Sequence, residues 1–140
     1  MMNIHLEREV AAARRGHGLV ICIHDLDRFK DYNDSAGHLA GDDALRAFWQ
    51  ILVEESRAMN LVARFGGNEF MSILSESALE GAFTYVTRVA ERMVEDPILG
   101  PAHITSSTGL SSFNPDTMKT VEDIIQAADT KLFKKKGKRS

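Results

Sequence analysis

Asp25, Asp27, Asp31, Asp34, Asp42 and Asp43 stand between positions 25 and 43, opposed there only by Arg28 and Lys30. Farther on, the stretch LVARFGGNEFMSIL runs from Leu61 to Leu74, and its Gly66-Gly67 pair is followed at once by Asn68 and Glu69. The chain ends in six cations within residues 131–140 and no acid. Mg²⁺ takes one or two carboxylates plus substrate phosphates and keeps several of its waters. A glycine pair without side chains lets a large phosphorylated ligand come close to the backbone. Acids, glycines and a basic tail in one small chain therefore point to a metal and an anion held together, a Mg²⁺–nucleotide site. Asn68 does not fit this chemistry well, because an amide carries no charge and accepts no proton usefully near neutral pH.

The elements that must position these residues can be read from periodicity. Ile4, Leu6, Val10 and Ala13 predict a short amphipathic helix over residues 3–15. Leu19-Val20-Ile21-Cys22-Ile23 is a continuous apolar run after glycine and reads as a buried central strand whose exit is Asp25-Leu26-Asp27. Leu45, Phe48, Trp49 and Leu52 fall at helical spacing within 42–57, with Asp42 and Asp43 placed to favour the helix N-terminus. Leu61–Phe65 and Phe70–Leu74 predict two antiparallel strands, with Gly66-Gly67 as a type I′ turn. Ser77 to Glu80 reads as a capping box opening a helix that stops before Pro97, Ile104 to Phe113 as a strand, and Thr120 as the cap of a last helix. The order α, β, α, β-hairpin, α, β, α gives an α/β fold, a sheet with helices packed on it.

At 140 residues the chain is read as one domain. A net charge of -3 argues against a general nucleic-acid binder, and no apolar run approaches the roughly 20 residues of a membrane span. Cys22 has no partner cysteine and no secretory leader is visible, so the expected location is the cytoplasm. His24 and His38 read as core or turn histidines, and Phe48 and Trp49 as core, continuing a helical stripe. Asp31, Asn33, Ser35 and Asp42 match a calcium-loop template poorly, because Ala36 stands where its glycine belongs.

Asp25-Leu26-Asp27-Arg28-Phe29-Lys30, Asn33-Asp34, Gly37-His38, Gly41-Asp42, Arg64-Phe65-Gly66-Gly67-Asn68-Glu69-Phe70 and Ala128-Asp129 before Leu132-Phe133, in that order, closely resemble the GGDEF domain family of diguanylate cyclases. The resemblance covers nearly the whole chain. It implies a mostly antiparallel central sheet with packed helices, like the palm of nucleotide cyclases and polymerases. It also implies a reaction that joins two GTP molecules into cyclic di-GMP with release of pyrophosphate, between two domains face to face. Carried over by position, it makes the Asp25 side chain and the Leu26 carbonyl ligands of a Mg²⁺ pair, with Mn²⁺ as the alternative ion, and gives Glu69 a supporting role at the metal. Arg28 and Phe29 would offer backbone N–H groups to phosphate, and Lys30 would neutralise developing charge. Asn33 and Asp42 would read the guanine edge, Leu45 would pack on the base, and Gly66 and Gly67 would give the ligand room.

The departures from the family pattern are specific. The third motif position is normally Asp or Glu, which ligates metal and serves as the base for the ribose 3′-hydroxyl; here it is Asn68, so turnover is expected to be impaired, and a GTP-binding or regulatory module without turnover is the alternative. The product-inhibition motif Arg-x-x-Asp is represented by Arg57-Ala58-Met59-Asn60, where the guanine-binding acid is missing. Lys136 fits the family's C-terminal phosphate-binding lysine, while Arg139 fits the following arginine only with a one-residue shift. The start lacks the family's Leu-Thr-Gly-Leu segment, so the chain is expected to be a domain of a longer protein with a sensor or dimerising region upstream.

Overall fold

The structure is a computed structural model that describes residues 11, 18–56, 61–64, 66–75, 78–118 and 120–137. The helix expected over 3–15 lies outside the described residues except for Ala11, which is helical. The elements run β1 (Leu19–Leu26), α1 (Phe29–Ala36), α2 (His38–Glu55), β2 (Leu61–Arg64), β3 (Glu69–Ser75), α3 (Leu79–Glu95), β4 (Ser106–Ser112) and α4 (Val121–Gly137). The four strands form one sheet in the order β2-β3-β1-β4, with every neighbouring pair antiparallel. The α/β fold with a central antiparallel sheet and packed helices is therefore as the sequence indicates.

Strand alternation sorts β1 onto two cores. Val20, Cys22 and Leu26 face Ala44, Leu45, Phe48, Ile51 and Leu52 of α2 and Ala82, Tyr85, Val89 and Met93 of α3. Leu19, Ile21 and Ile23 face Ile124, Ala128 and Leu132 of α4 together with Met71 and Ile73 of β3. The result is three layers, with β1 buried on both faces, which is why its sequence is continuously apolar. Gly109 of β4 lets α4 sit directly on the sheet, since a Cβ there would overlap the Ala128 carbonyl oxygen and the Leu132 backbone nitrogen.

Several elements differ from the sequence reading. β1 continues through His24, Asp25 and Leu26 rather than ending at Ile23, because His24 is fully buried with partners on both neighbouring strands. Helix α1 was not expected: FKDYNDSA buries no residue fully, and only Phe29 and Tyr32 lean on the core. It starts from a left-handed turn at Arg28, φ 53°. Helix α2 begins at His38, so Asp42 and Asp43 lie beyond its first turn and do not serve its N-terminus. The connection between β2 and β3 spans residues 65–68, and Gly67 does not take the positive φ that a type I′ turn needs. Helix α3 is capped by Ala78 with no side-chain bond, and Ser77 of the expected capping box lies outside the described residues. At α4 the expected cap holds: Thr120 Oγ1 accepts from Asp123 N–H at 3.2 Å, and Thr120 N–H donates to Asp123 Oδ2 at 3.1 Å.

Candidate nucleotide and cation site

The antiparallel register places Asp25 directly opposite Glu69 on one side and Ser107 on the other. Cross-strand partners leave the same face of a sheet with their Cβ atoms about 5 Å apart. Asp25 and Glu69 are thus paired at one end of the sheet, on the face that α4 covers farther along. Asp27, just past the end of β1, is held from the start of β4 and the residue before it: Thr105 Oγ1 donates to it at 2.8 Å and Ser107 Oγ at 2.6 Å. Two hydroxyl donors fix that carboxylate in place, which makes it a positioning group more than a metal ligand.

Asn68 closes the end of the sheet. Its backbone carbonyl accepts from Leu26 N–H at 3.3 Å. Its side-chain amide nitrogen donates to Asp25 Oδ1 and, at 3.2 Å, to the Leu26 carbonyl. Both partners are acceptors only, so the NH₂ end of the amide is the end that must face them. The glycine loop is braced by Arg64, which donates from Nε to the Gly66 carbonyl at 3.2 Å and from its guanidinium to the Gly67 carbonyl, with Cζ 5.9 Å from the centre of the Phe70 ring. The Glu69 side chain leans over Gly66, where a Cβ would lie 3.2 Å from its own.

The opposite face of the same sheet end carries a cavity of about 480 Å³ lined by Asp42, Leu45, Arg46, Trp49, Arg64 and Phe70. That volume is within the usual range for small-molecule sites. Asp42, Leu45, Arg46 and Trp49 come from one face of α2. Trp49 is 36% exposed and forms part of the wall, while Phe48 is fully buried, so the sequence reading of core held for Phe48 and not for Trp49. Asn33 sits beside this group, with its amide nitrogen 2.9 Å from His38 Nδ1 and its Oδ1 so close to Gly41 that a Cβ there would overlap it. The glycine at 41 brings Asn33 against the backbone that carries Asp42.

Cavity and carboxylates are therefore on opposite faces, and a ligand touching both must cross the sheet end over the glycine loop. Arg28, Phe29 and Lys30 form the turn and first residues of α1, whose N-terminus has no side-chain cap. Its first-turn N–H groups face the direction that favours an anion. Lys136 belongs to the last turn of α4 by its backbone, with its side chain outside the description; Arg139, Arg57 and Asn60 lie outside the described residues. Among the described residues no three His, Cys, Asp or Glu side chains converge on a point that could hold an ion. The residues missed by sequence reasoning are Arg46, Trp49 and Arg64. The first two could have been found from their spacing of four and seven residues after Asp42 on one helical face.

Behind the site, His24 is fully buried. Its Nδ1 is 3.0 Å from Thr108 Oγ1, its Nε2 is 2.8 Å from Ser72 Oγ, and Ser72 Oγ is 2.8 Å from the Tyr85 hydroxyl, which donates to the Leu52 carbonyl at 3.2 Å. Burial pushes the His24 pKa down to about 3 and that of Cys22 up to about 12, so both are neutral at physiological pH.

Comparison with known proteins agrees with this architecture. The family model "Diguanylate cyclase, GGDEF domain" matches residues 1–140. The chain is 34% identical over 139 residues to diguanylate cyclase DgcP of Pseudomonas aeruginosa, covering 96% of this chain and 20% of that protein. It is 35% identical over 142 residues to diguanylate cyclase DosC of Escherichia coli K12, covering 94% of this chain and 30% of that protein. Among solved structures it matches the active GGEEF domain of a diguanylate cyclase from Vibrio cholerae with a TM-score of 0.85 and 28% identity, over 94% of this chain and 85% of that one. The chain thus spans under a third of the length of either of those two curated relatives, and it belongs to the GGDEF domain family.

Proposed function

We propose that this domain binds GTP across the end of the sheet and works as a diguanylate cyclase-like signalling module whose turnover is lowered by Asn68. The observation that carries this is the amide nitrogen of Asn68 on Asp25 and the Leu26 carbonyl. At the position where the family places an acid, this chain has a hydrogen-bond donor turned toward the atoms expected to hold the cation.

The guanine base enters the cavity between α2 and the β2–β3 strands, with Asn33 of α1 beside it. Asn33 and Asp42 supply an acceptor, donors and a carboxylate for its edge, and Leu45 and Trp49 its apolar walls. The ribose and phosphates pass over Gly66 and Gly67 to the opposite face. Backbone N–H groups at Arg28 and Phe29 hold phosphate oxygens there, and Lys30 offsets the charge that grows on the departing pyrophosphate. The chain leaves β4 at Ser112 and returns along it through α4, which carries Lys136 toward the same end of the sheet; this supports a phosphate contact from that turn. Arg139 extends the same role.

The donor set fits a hard divalent cation: the Asp25 carboxylate and Leu26 carbonyl, with Glu69 opposite Asp25, are oxygen donors that would hold it together with substrate phosphates and water. Mg²⁺, or Mn²⁺ in its place, would screen the triphosphate and the leaving group when bound. Asn68 cannot act as the base for a ribose 3′-hydroxyl, and loss of a positioned base lowers rates by about 10²–10⁴. Cyclisation of two GTP molecules needs two such sites, so a second copy of the domain must meet the first face to face. An upstream sensor region in the whole protein would control that encounter. The product-inhibition site lacks its acid at Asn60. Neutral buried Cys22 suits a reducing cytoplasm, and among the described residues no helix is long and apolar enough to cross a membrane.

A second reading has the same geometry behind it: a domain that holds GTP and regulates a partner without turnover. One experiment decides between them. Cyclic di-GMP formation from GTP and Mg²⁺ is measured at high protein concentration on the wild type and on Asn68→Asp. A gain of about two to four orders of magnitude in the variant marks the site as intact apart from its base. Equal rates in the two proteins would show that Asn68 is no lesion. GTP binding with no product from either protein would favour the regulatory reading.

A further inference from the structure

We propose that Asn68 is a built-in competitor of the cation, so that the domain at rest satisfies its own metal ligands and takes up a divalent ion only when the amide is turned away. The inference rests on the reading of Asp25 and the Leu26 carbonyl as cation ligands.

Asn68 meets Leu26 twice. Its backbone carbonyl accepts from Leu26 N–H, and its amide nitrogen donates to the Leu26 carbonyl, while the same nitrogen donates to Asp25 Oδ1. One NH₂ group with two protons thus spans the two oxygens that would hold a divalent ion. Asp or Glu at this position would act in the opposite sense. A further carboxylate at 68, beside the Asp25–Glu69 pair, concentrates like charge that a cation relieves. Asn68 removes that charge and in addition supplies protons to the remaining carboxylate. The loop is held for this purpose: Arg64 ties down the Gly66 and Gly67 carbonyls immediately before Asn68. A cation arriving alone must break a hydrogen bond to a charged acceptor, which sets its affinity back roughly ten- to a hundredfold. A cation arriving with a triphosphate brings further oxygens and charge, which offset that loss. Ion binding in this domain is therefore coupled to nucleotide.

The test is Mn²⁺ binding to the whole chain without nucleotide, read from the free-ion signal in electron paramagnetic resonance, for the wild type, Asn68→Ala and Asn68→Asp. Alanine adds no ligand, so a simple loss of donor atoms predicts equal or weaker binding in Asn68→Ala. Competition predicts the reverse: Asn68→Ala binds Mn²⁺ roughly tenfold or more tightly than the wild type, and Asn68→Asp more tightly still. Equal or weaker binding by Asn68→Ala, with tighter binding by Asn68→Asp, overturns the inference and leaves the cation site standing. If Asn68→Asp also binds no better than the wild type, the assignment of Asp25 and Leu26 as ligands fails, and the inference with it. Should Asn68→Ala lose its cooperative melt, Asn68→Ser, too short to span both oxygens, is read in the same way.

Discussion

His24 Nε2 lies 2.8 Å from the Ser72 hydroxyl in the interior of the sheet, and Thr108 holds the other ring nitrogen at 3.0 Å. Protonation would put a charge there with only hydroxyl partners, and burial accordingly lowers the pKa from 6.5 to about 3. The unfolded chain therefore binds a proton that the folded chain refuses between those values. Stability is fully present above pH 6.5 and falls as the pH drops below it, by about 1.4 kcal/mol per unit. Cys22 and Tyr85, nearby, are both shifted upward by burial and stay neutral in this range. Urea midpoints should be level from pH 7.5 to about 6.5 and fall from there to pH 5 in the wild type. In His24→Leu the slope between pH 6.5 and 5 should be largely gone. An unchanged slope in that variant would assign the effect to other groups.

Gly109 and α4 give a second expectation. A methyl group at 109 meets backbone atoms, the Ala128 carbonyl and the Leu132 nitrogen, and backbone cannot rotate aside as a side chain can. The helix must lift from the sheet and loosen Ile124, Ala128 and Leu132 from their core. Gly109→Ala should cost at least about 1–3 kcal/mol, seen as a lower midpoint in chemical denaturation. A loss under about 0.5 kcal/mol would mean that α4 shifts freely on β4.

Trp49 is the protein's single tryptophan and part of the cavity wall, 6.2 Å from Phe70 between ring centres. A purine base in the cavity should change its emission, so fluorescence reports binding without any label. Trp49→Ala should weaken GTP by roughly tenfold or more, since base–aromatic contacts contribute about 1–3 kcal/mol. Trp49→Phe should lose less. Saturable GTP binding by calorimetry with a constant emission spectrum would place the base elsewhere.

How far the sequence revealed this arrangement depended on what each segment buries. β1 was legible because its residues are apolar on both faces, and the helix carrying Phe48 and Leu52 because they repeat at helical spacing. α1 was not legible: FKDYNDSA buries no residue fully, and its start is set by a left-handed Arg28 that no periodicity announces. The chemistry-bearing residue types were visible at once. Their partners were not, because Asn68 meets Asp25 across 43 positions and the bond depends on how β3 registers with β1. Asp27 shows the same gap, since nothing in its sequence neighbourhood announces the Thr105 and Ser107 hydroxyls, 78 and 80 positions away, that hold its carboxylate.

Gly41 separates ligand recognition from stability. Asn33 Oδ1 occupies the space a Cβ at 41 would need, with Phe29 close behind. The clash is with the end of a side chain, so Asn33 can swing away while both helices stay in place. Alanine is also about 1 kcal/mol better than glycine inside a helix, and position 41 lies within α2. Gly41→Ala should therefore melt at or slightly above the wild-type temperature. It should nonetheless bind GTP more weakly by about tenfold, the loss of one hydrogen-bonding group at the base edge. ATP, which offers a different edge to Asn33 and Asp42, should lose less, so discrimination between the two nucleotides narrows. Titration of both nucleotides into both proteins checks this, with melting curves alongside. Unchanged GTP affinity in a fully folded Gly41→Ala would remove Asn33 from the set of residues that read the base.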